Sequence, residues 1–397
     1  MTDANKLKTK YIFLQSFYWL LFCPGIAYMN TFLTFRGQTP AAIGLISAAA
    51  GTVSALVQPA LGKLADQNEH FSWKVQLCFM AFLCALCNIL MFPVKNLTAT
   101  SMLYALFFML LYAMMPFLNG AAFYYETCGI NLNFGFARGM GSFFYAVGAL
   151  LMGKCVTEYG AQLIPAISAA VSALLVILGA SMPYRKNFAA VQTASVRNEK
   201  TASPVEFFQN NPGFIMMLVA FALLITFHNM TNTFMLQIVQ RAGGADTQMG
   251  AAVALAAVTE LIPLFMFSKL IKKFSSAGLL FTSAIFFFFK AVMLFAAHSM
   301  GAIYFAQSLQ MLGYGLFTPA SVYYAKEAMT PDKKMQGQSL LAGAITLGGV
   351  IGNLIGGVII QNSGVEADLL TGVFVTLAAA ALVGAFGLKR KHFPGNK

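Results

Sequence analysis

The sequence predicts an all-α membrane protein that crosses the bilayer many times, and three observations support this fold class. Hydrophobic residues form 58% of the 397 residues and charged residues only 10%, whereas soluble domains carry about 25% charged residues. The mean hydropathy is +0.71. The apolar residues are also gathered in runs of about 20 residues or more, the length that a helix needs to cross a membrane.

Twelve apolar runs are candidate membrane spans, and each is separated from the next by a short polar or glycine-containing segment. The first run is long enough to span and reads as a retained helix, not as a cleaved leader. In chain order, spans 1 to 12 are 11–35, 40–65, 73–94, 99–125, 137–158, 161–183, 213–238, 247–271, 276–298, 301–325, 338–361 and 368–388.

The basic residues predict the orientation of these spans. With the N-terminus inside, four of the 25 Lys and Arg residues fall in outer segments, Lys290 falls within a span, and the other 20 fall in cytoplasmic segments. This bias follows the positive-inside rule, so both termini are expected in the cytoplasm. The net charge of +12 is therefore attributed to topology, and no nucleic-acid partner is expected.

An internal repeat predicts two halves of six helices each. Tyr124-Tyr125 near the end of span 4 matches Tyr323-Tyr324 near the end of span 10, and Arg138-Gly139 matches Gln336-Gly337 about 200 residues later. The predicted domains are an N-terminal bundle over 1–183, a cytoplasmic linker over 184–211 and a C-terminal bundle over 212–397. Repeats of this kind bracket substrate sites in transporters.

The chain shows no sign of a metal, cofactor or catalytic motif. Cys84 and Cys87 form a CxxC pair, but no second pair or nearby histidine completes a zinc set. HExxH, GxSxG and P-loop motifs are absent from the sequence. We expect no cofactor and no enzymatic activity, and a membrane-embedded enzyme or channel is the least favoured class.

Several short motifs resemble the major facilitator superfamily (MFS). Gln58-Pro-Ala-Leu-Gly62-Lys-Leu-Ala-Asp66 resembles the signature after helix 2, in which Gly62 and Asp66 would act in conformational change. Phe134-Gly-Phe-Ala-Arg138-Gly, with the Gln-Pro before Gly62, is similar to the lactose permease and nucleoside symporter branch. The resemblance implies the MFS fold of two six-helix bundles, a solute contact at Arg138 and a ring-stacking residue at Tyr145.

The sequence departs from the lactose permease pattern in two places. Asn119 follows Pro116 where the permease has a galactoside-binding acid, and Gln307-x-x-Gln310-x-x-Gly313 replaces a Lys-x-x-His-x-x-Glu triplet whose Glu carries the proton. Lactose is therefore not supported as the substrate. Asn119, Gln307 and Gln310 are candidate contacts for a neutral polar solute.

Buried charge gives the clue that does not depend on the resemblance. Glu260 lies inside span 8 and Lys290 inside span 9, and an ionisable side chain there costs about 2.5–3.5 kcal/mol on insertion scales. Glu260 is expected to bind substrate or a proton, with Lys290 as its counter-charge. The alternative is a structural ion pair that locks two helices together.

Three further candidates also have structural alternatives. His228 and Asn229 lie in span 7, where the histidine could relay protons or only hydrogen-bond a neighbouring helix. Arg138 could contact the solute or serve as an ordinary cytoplasmic anchor.

The expected function is secondary active transport by alternating access. The first hypothesis is proton-coupled uptake of a small polar solute, such as a sugar or nucleoside, by a monomer in the bacterial-type cytoplasmic (inner) membrane. An exporter of drugs or metabolites is the alternative; span 5 reads Gly148-Ala-Leu-Leu-Met-Gly153 and lacks the Gly-Pro ending typical of exporters.

Overall fold

The computed structural model describes residues 3–67, 71–130, 132–184, 212–329 and 334–388, and within these ranges the chain is helical with no strand. The first half contains α1 (Asp3–Phe22), a π-helical turn (Cys23–Ala27), α2 (Met29–Phe35), α3 (Pro40–Gln67), α4 (Trp73–Leu90), α5 (Leu97–Thr127), α6 (Phe134–Tyr159) and α7 (Leu163–Ser181).

The second half contains seven further helices, with a short 3₁₀ turn inside one predicted span. They are α8 (Pro212–Thr233), α9 (Met235–Arg241), α10 (Asp246–Lys273), α11 (Ser276–Ala296), α12 (Met300–Ser308), the 3₁₀ turn Leu309–Met311, α13 (Tyr314–Glu327) and α14 (Lys334–Leu382), followed by a π-helical turn over Val383–Gly387.

Polar caps fix where several helices begin. Asn96 accepts from the Ala99 N–H at the start of α5, and Ser275 accepts from the Gly278 N–H at the start of α11. Asn133 caps α6 from a left-handed backbone conformation with φ of 49°, which asparagine tolerates better than most residues. These side chains satisfy N–H groups that a helix cannot pair internally.

Helix length and composition alone do not confirm the predicted count of twelve spans. Among the described residues, nine helices are long and apolar enough to cross a membrane, or ten if α1 and α2, bent by 43°, form one span. Span 10 is divided into α12 and α13, of 9 and 14 residues, each shorter than the roughly 20 residues required. Spans 11 and 12 are two helices that meet at Gly364, whose backbone is non-helical with φ of 83°, and the 49 residues of α14 contain both of them.

The chain divides into two compact units. Unit 1 contains residues 1–38 and 49–199, and unit 2 contains residues 39–48 and 200–397. The predicted linker over 184–211 falls almost entirely outside the described residues, since only Tyr184 is described.

Large apolar side chains cover much of the surface. Leu56, Phe265 and Met102 are 74%, 69% and 68% exposed, whereas Tyr18, Phe221 and Phe287 are almost fully buried. Long helices with apolar exposed surfaces and apolar cores are what a protein surrounded by lipid requires. The prediction of an all-helical, multi-pass membrane protein is confirmed.

Candidate functional site

Lys290 is the buried cation of unit 2. It lies on α11 after four consecutive phenylalanines, and only 2% of its surface is exposed. Its Nζ donates a hydrogen bond to Oε1 of Gln310. A buried ammonium requires such a partner, because without one the loss of hydration would be uncompensated.

Gln310 connects this cation to a carboxylate. Its Nε2 donates to Oε1 of Glu260 over 2.8 Å, while its Oε1 accepts from Lys290. The two ends of the amide thus match the two charges: the oxygen meets the ammonium and the nitrogen meets the carboxylate. Lys290, Gln310 and Glu260 form a continuous chain, which we call the polar network.

A break in the helix places Gln310 in the network. Residues Leu309–Met311 form a 3₁₀ turn. Gly313, which directly precedes α13, has a non-helical backbone with φ of −76° and ψ of −98°. The Gly313 carbonyl accepts from Ser283 Oγ of α11 over 2.8 Å. The position where the lactose permease pattern has a carboxylate is therefore a helix junction here, held against α11.

Glu260 occupies a partly exposed position on α10, where α13 approaches closely. A Cβ added at Gly315 would lie 3.1 Å from Glu260 Cα and 2.9 Å from Pro263 Cγ. Only a glycine permits this approach without displacement of α13. The carboxylate is thus held at a helix contact yet remains partly accessible, as a ligand- or proton-binding group must be.

His228 lies beside the network and stacks on a tyrosine. Its ring is 3.9 Å from that of Tyr314 with an interplanar angle of 5°. Nε2 is 2.8 Å from Asn232 Nδ2, and Nδ1 is 3.4 Å from Gln310 Nε2. A neutral imidazole has a single acceptor nitrogen, so the shorter contact with Asn232 is the hydrogen bond and the Gln310 amide is directed mainly to Glu260.

The other polar candidates of unit 2 take different partners. Gln307 is buried, its Nε2 lies 3.6 Å from Met235 Sδ, and its Oε1 has no hydrogen-bond partner among the described residues. Asn229 donates to the Ile225 carbonyl of its own helix over 3.0 Å. Gln307 and Gln310 thus have different partners, although they lie only three residues apart.

Arg138 is the candidate cation of unit 1 and rests on an aromatic ring. Its guanidinium carbon is 3.7 Å from the centroid of Trp19, and Nη1 donates to Ser142 Oγ over 2.6 Å. A Cβ at Gly141 would come within 2.4 Å of Trp19 Cδ1, so the glycine makes room for the ring. The stacking orients the guanidinium plane while the side chain stays partly exposed.

Asn119 joins a second polar group of unit 1. Gln15, which is fully buried, directs Nε2 to Tyr11 Oη at 2.9 Å and to Asn119 Oδ1 at 3.4 Å. Tyr11 in turn donates to the Leu118 carbonyl over 3.3 Å. Asn119 is partly exposed, and the contact from buried Gln15 orients its amide.

The remaining predicted residues have less defined surroundings. Tyr145 is partly exposed on α6, about two turns after Arg138. Gly62 lies on α3, where an added Cβ would meet no atom within 4 Å. The side chain of Asp66 lies outside the described part of the structure. In the described ranges, no three His, Cys, Asp or Glu residues are grouped as a metal site would require.

Two residues of unit 2 were missed by the sequence reasoning. Tyr314, which stacks on His228, follows Gly313 in an aromatic-rich run that carries no distinguishing pattern. Asp368 was read as the first residue of span 12, a position where acids are common. Its 1% exposure depends on packing and has no local signature.

Comparison with solved structures identifies the fold. The nucleoside transporter NupG is 14% identical with a TM-score of 0.81, and the match covers 97% of this chain and 100% of that chain. A bacterial homolog of the human lysosomal transporter Spinster is 12% identical with a TM-score of 0.69 over 100% of both chains. An auto-inhibited POT family peptide transporter is 13% identical with a TM-score of 0.70, covering 99% of this chain and 98% of that chain.

The family follows from the sequence comparison. The sequence has no significant match among curated proteins. A model described as the MFS_1 like family matches residues 10–369, which is most of the chain and includes every candidate residue. The resemblance to the major facilitator superfamily is confirmed, and the chain belongs to the MFS_1 like family of membrane transport proteins.

Proposed function

We propose that this protein is a proton-coupled secondary transporter that takes up a small polar organic solute by alternating access. The observation that carries the proposal is the polar network, in which buried Lys290 and partly exposed Glu260 are joined through the Gln310 amide. Placing two opposite charges within apolar helices is costly. Such groups normally mark ion or substrate pathways in membrane proteins.

The network offers a direct means to couple a proton to a solute. Ionised Glu260 only accepts hydrogen bonds, whereas the protonated acid also carries an O–H donor. Protonation would therefore weaken the attraction that Lys290 exerts through Gln310 and leave polar groups ready for a solute. Hydroxyl and amide groups of the solute would match Gln310, His228 and Asn232.

A nucleoside-like or sugar-like solute fits the available groups best. The stacked pair of His228 and Tyr314 and the Trp19 surface beneath Arg138 are aromatic, and flat rings stack favourably on them. The named activity of NupG, nucleoside transport, supports nucleosides as the first solutes to test. Arg138, Asn119 and Tyr145 are the proposed solute contacts of unit 1.

A transport assay tests the proposal. Purified protein in vesicles that are inside-negative and acid-outside is screened with labelled nucleosides, sugars and short peptides, with and without a protonophore. We expect accumulation of one class, and its collapse on addition of the protonophore. Uptake that is indifferent to the protonophore would contradict proton coupling, and loss of preloaded solute would indicate export.

The Glu260→Gln variant assigns the coupling to the network. We expect it to abolish accumulation while the protein remains folded and inserted, because the amide cannot carry the proton. Glu158→Gln, at an exposed position on α6, is the matched control and should accumulate solute normally. Wild-type accumulation by Glu260→Gln would refute the assigned role.

We also propose that the protein acts as a monomer in the cytoplasmic membrane, with twelve spans and both termini inside. The charge bias of the sequence supports this orientation. Cysteine-accessibility labelling at the two ends of the chain in intact cells tests it. Labelling of either end by an impermeant reagent would contradict the topology.

A further inference from the structure

We infer that Asp368 is a second proton-binding site, separate from the polar network. Asp368 lies on α14, four residues after the break at Gly364, and is 1% exposed. Neither carboxyl oxygen has a hydrogen-bond partner among the described residues. This inference does not depend on the proposed function, because it concerns a property that the purified protein shows without any solute.

Apolar side chains lie near the Asp368 carboxyl group. A Cβ placed on Gly356 would lie 3.2 Å from each of Asp368 Oδ1, Met230 Cγ and Phe234 Cε2. The carboxyl group, a methionine and a phenylalanine therefore converge on one glycine of the preceding segment of α14. A carboxylate in such a position has lost its water without gaining a hydrogen bond, and this strongly disfavours the charged form.

Charged groups also lie on the helices that contact α14. The titratable or charged residues on the helices that pack against α14, tyrosines aside, are His228, Arg241, Lys290, Lys326 and Glu327. His228 and Lys290 bind Asn232 and Gln310. Arg241 lies 3.7 Å from Glu366, whose side chain is 71% exposed, and Glu327 accepts from Ser276. Arg241 also donates to the Phe295 carbonyl, while its Nε and Nη1 have no hydrogen-bond partner among the described residues. None of these contacts involves Asp368.

The position of Asp368 near the start of a helical segment does not change this conclusion. Helix N-termini favour negative charge, but the effect is modest and declines within the first turn. The penalty for desolvating a carboxylate is larger. Asp368 is therefore assigned the neutral acid form in this arrangement, with one O–H bond formed by a proton taken from water.

Proton binding here would control how tightly two helices pack. Gly356 and Asp368 lie on opposite sides of the break at Gly364. Met230 lies in α8, and Phe234 directly follows α8. An ionised Asp368 would require water or a cation, and the contact around Gly356 would have to open to admit it.

Infrared spectroscopy of the purified protein in lipid tests the inference. We expect wild type at neutral pH to show the C=O stretching band of a protonated carboxyl without hydrogen bonds. Asp368→Asn should lose this band, whereas the matched control Glu366→Gln should retain it. If Asp368→Asn does not fold, Asp368→Ser replaces it, since a smaller side chain fits the same space. A folded variant that retains the full band would overturn the inference.

Thermal unfolding at a series of pH values gives an independent readout. Because the folded form holds Asp368 neutral, the contribution of Asp368 to stability should be greatest at low pH and should be lost as the pH rises. Asp368→Asn should lose less stability over the same range, and Glu366→Gln should follow wild type. Stabilisation of wild type by sodium that Asp368→Asn abolishes would instead identify a cation site and overturn the assignment to a proton.

Glu260→Gln separates this inference from the proposed function. It should leave the infrared band unchanged while abolishing accumulation. Loss of the band in Glu260→Gln would assign the proton to the polar network instead of Asp368.

Discussion

Lys290 in unit 2 and Arg138 in unit 1 are both cations on apolar helices, but the protein stabilises them in different ways. Lys290 is 2% exposed and reaches a carboxylate through the Gln310 amide. Arg138 is partly exposed, lies 3.7 Å from the Trp19 ring and donates to Ser142. The compact ammonium is used where an amide oxygen accepts a hydrogen bond from it, and the flat guanidinium is used where a ring supports it. The first arrangement suits a coupling group, and the second suits a solute contact.

The largest expected effect comes from removing the buried ammonium. Lys290→Met should lower the free energy of unfolding by about 1–3 kcal/mol, because Gln310 loses a charged donor and Glu260 loses its compensating charge. Thermal unfolding in detergent measures this change. The double variant Lys290→Met, Glu260→Gln should recover most of the loss. If the single variant is as stable as wild type, the network does not hold the helices together.

A close helix contact in unit 2 gives the next effect. A Cβ at Gly352 would lie 2.3 Å from the Thr226 carbonyl oxygen of α8, so Gly352→Ala should destabilise the protein by about 1–3 kcal/mol through overpacking. Gly343→Ala on the same helix meets no atom within 4 Å and should be neutral or stabilising by up to about 1 kcal/mol. Equal unfolding temperatures for the two variants would contradict the close approach of α8 and α14.

Arg138 should affect solute binding more than stability. Arg138→Lys is expected to weaken solute affinity about tenfold, or about 1.4 kcal/mol, since an ammonium cannot replace the planar fork. The free energy of unfolding should change by less than about 1 kcal/mol. Binding is measured by scintillation proximity with the solute found in the transport screen. Phe136→Leu, an exposed position on the same helix, is the control, and unchanged affinity in Arg138→Lys would favour a simple membrane anchor.

The smallest expected effect concerns Asn119. Asn119→Ala removes a 3.4 Å contact from Gln15, so the free energy of unfolding should fall by no more than about 0.5 kcal/mol. Gln15→Leu should cost more, about 1 kcal/mol, because Gln15 is fully buried and also bonds Tyr11. Chemical or thermal unfolding of the two variants compares them. A larger loss in Asn119→Ala would place that residue, not Gln15, at the centre of the group.

Much of the candidate site was predictable because charge within an apolar run is visible in the sequence. Glu260 and Lys290 were found in this way, and Gln310 was found from its place in the resemblance. Their connection was not predictable, because Gln310 is 20 residues from Lys290 and 50 residues from Glu260 in the chain. That Lys290 is the counter-charge of Glu260 stays a prediction, and the structure adds the Gln310 amide, which bonds both side chains.

The sequence by itself determined that the chain is helical, that it lies in a membrane and that it resembles the major facilitator superfamily. Apolar runs of a fixed length leave the backbone no other way to satisfy its hydrogen bonds in lipid. Tertiary structure alone decided which polar groups meet: the Gln310 bridge, the His228–Tyr314 stack and the burial of Asp368 beside Gly356. These contacts join residues that are distant in the chain or separated by a helix break. Contacts of this kind depend on how the helices pack and cannot be predicted from local sequence.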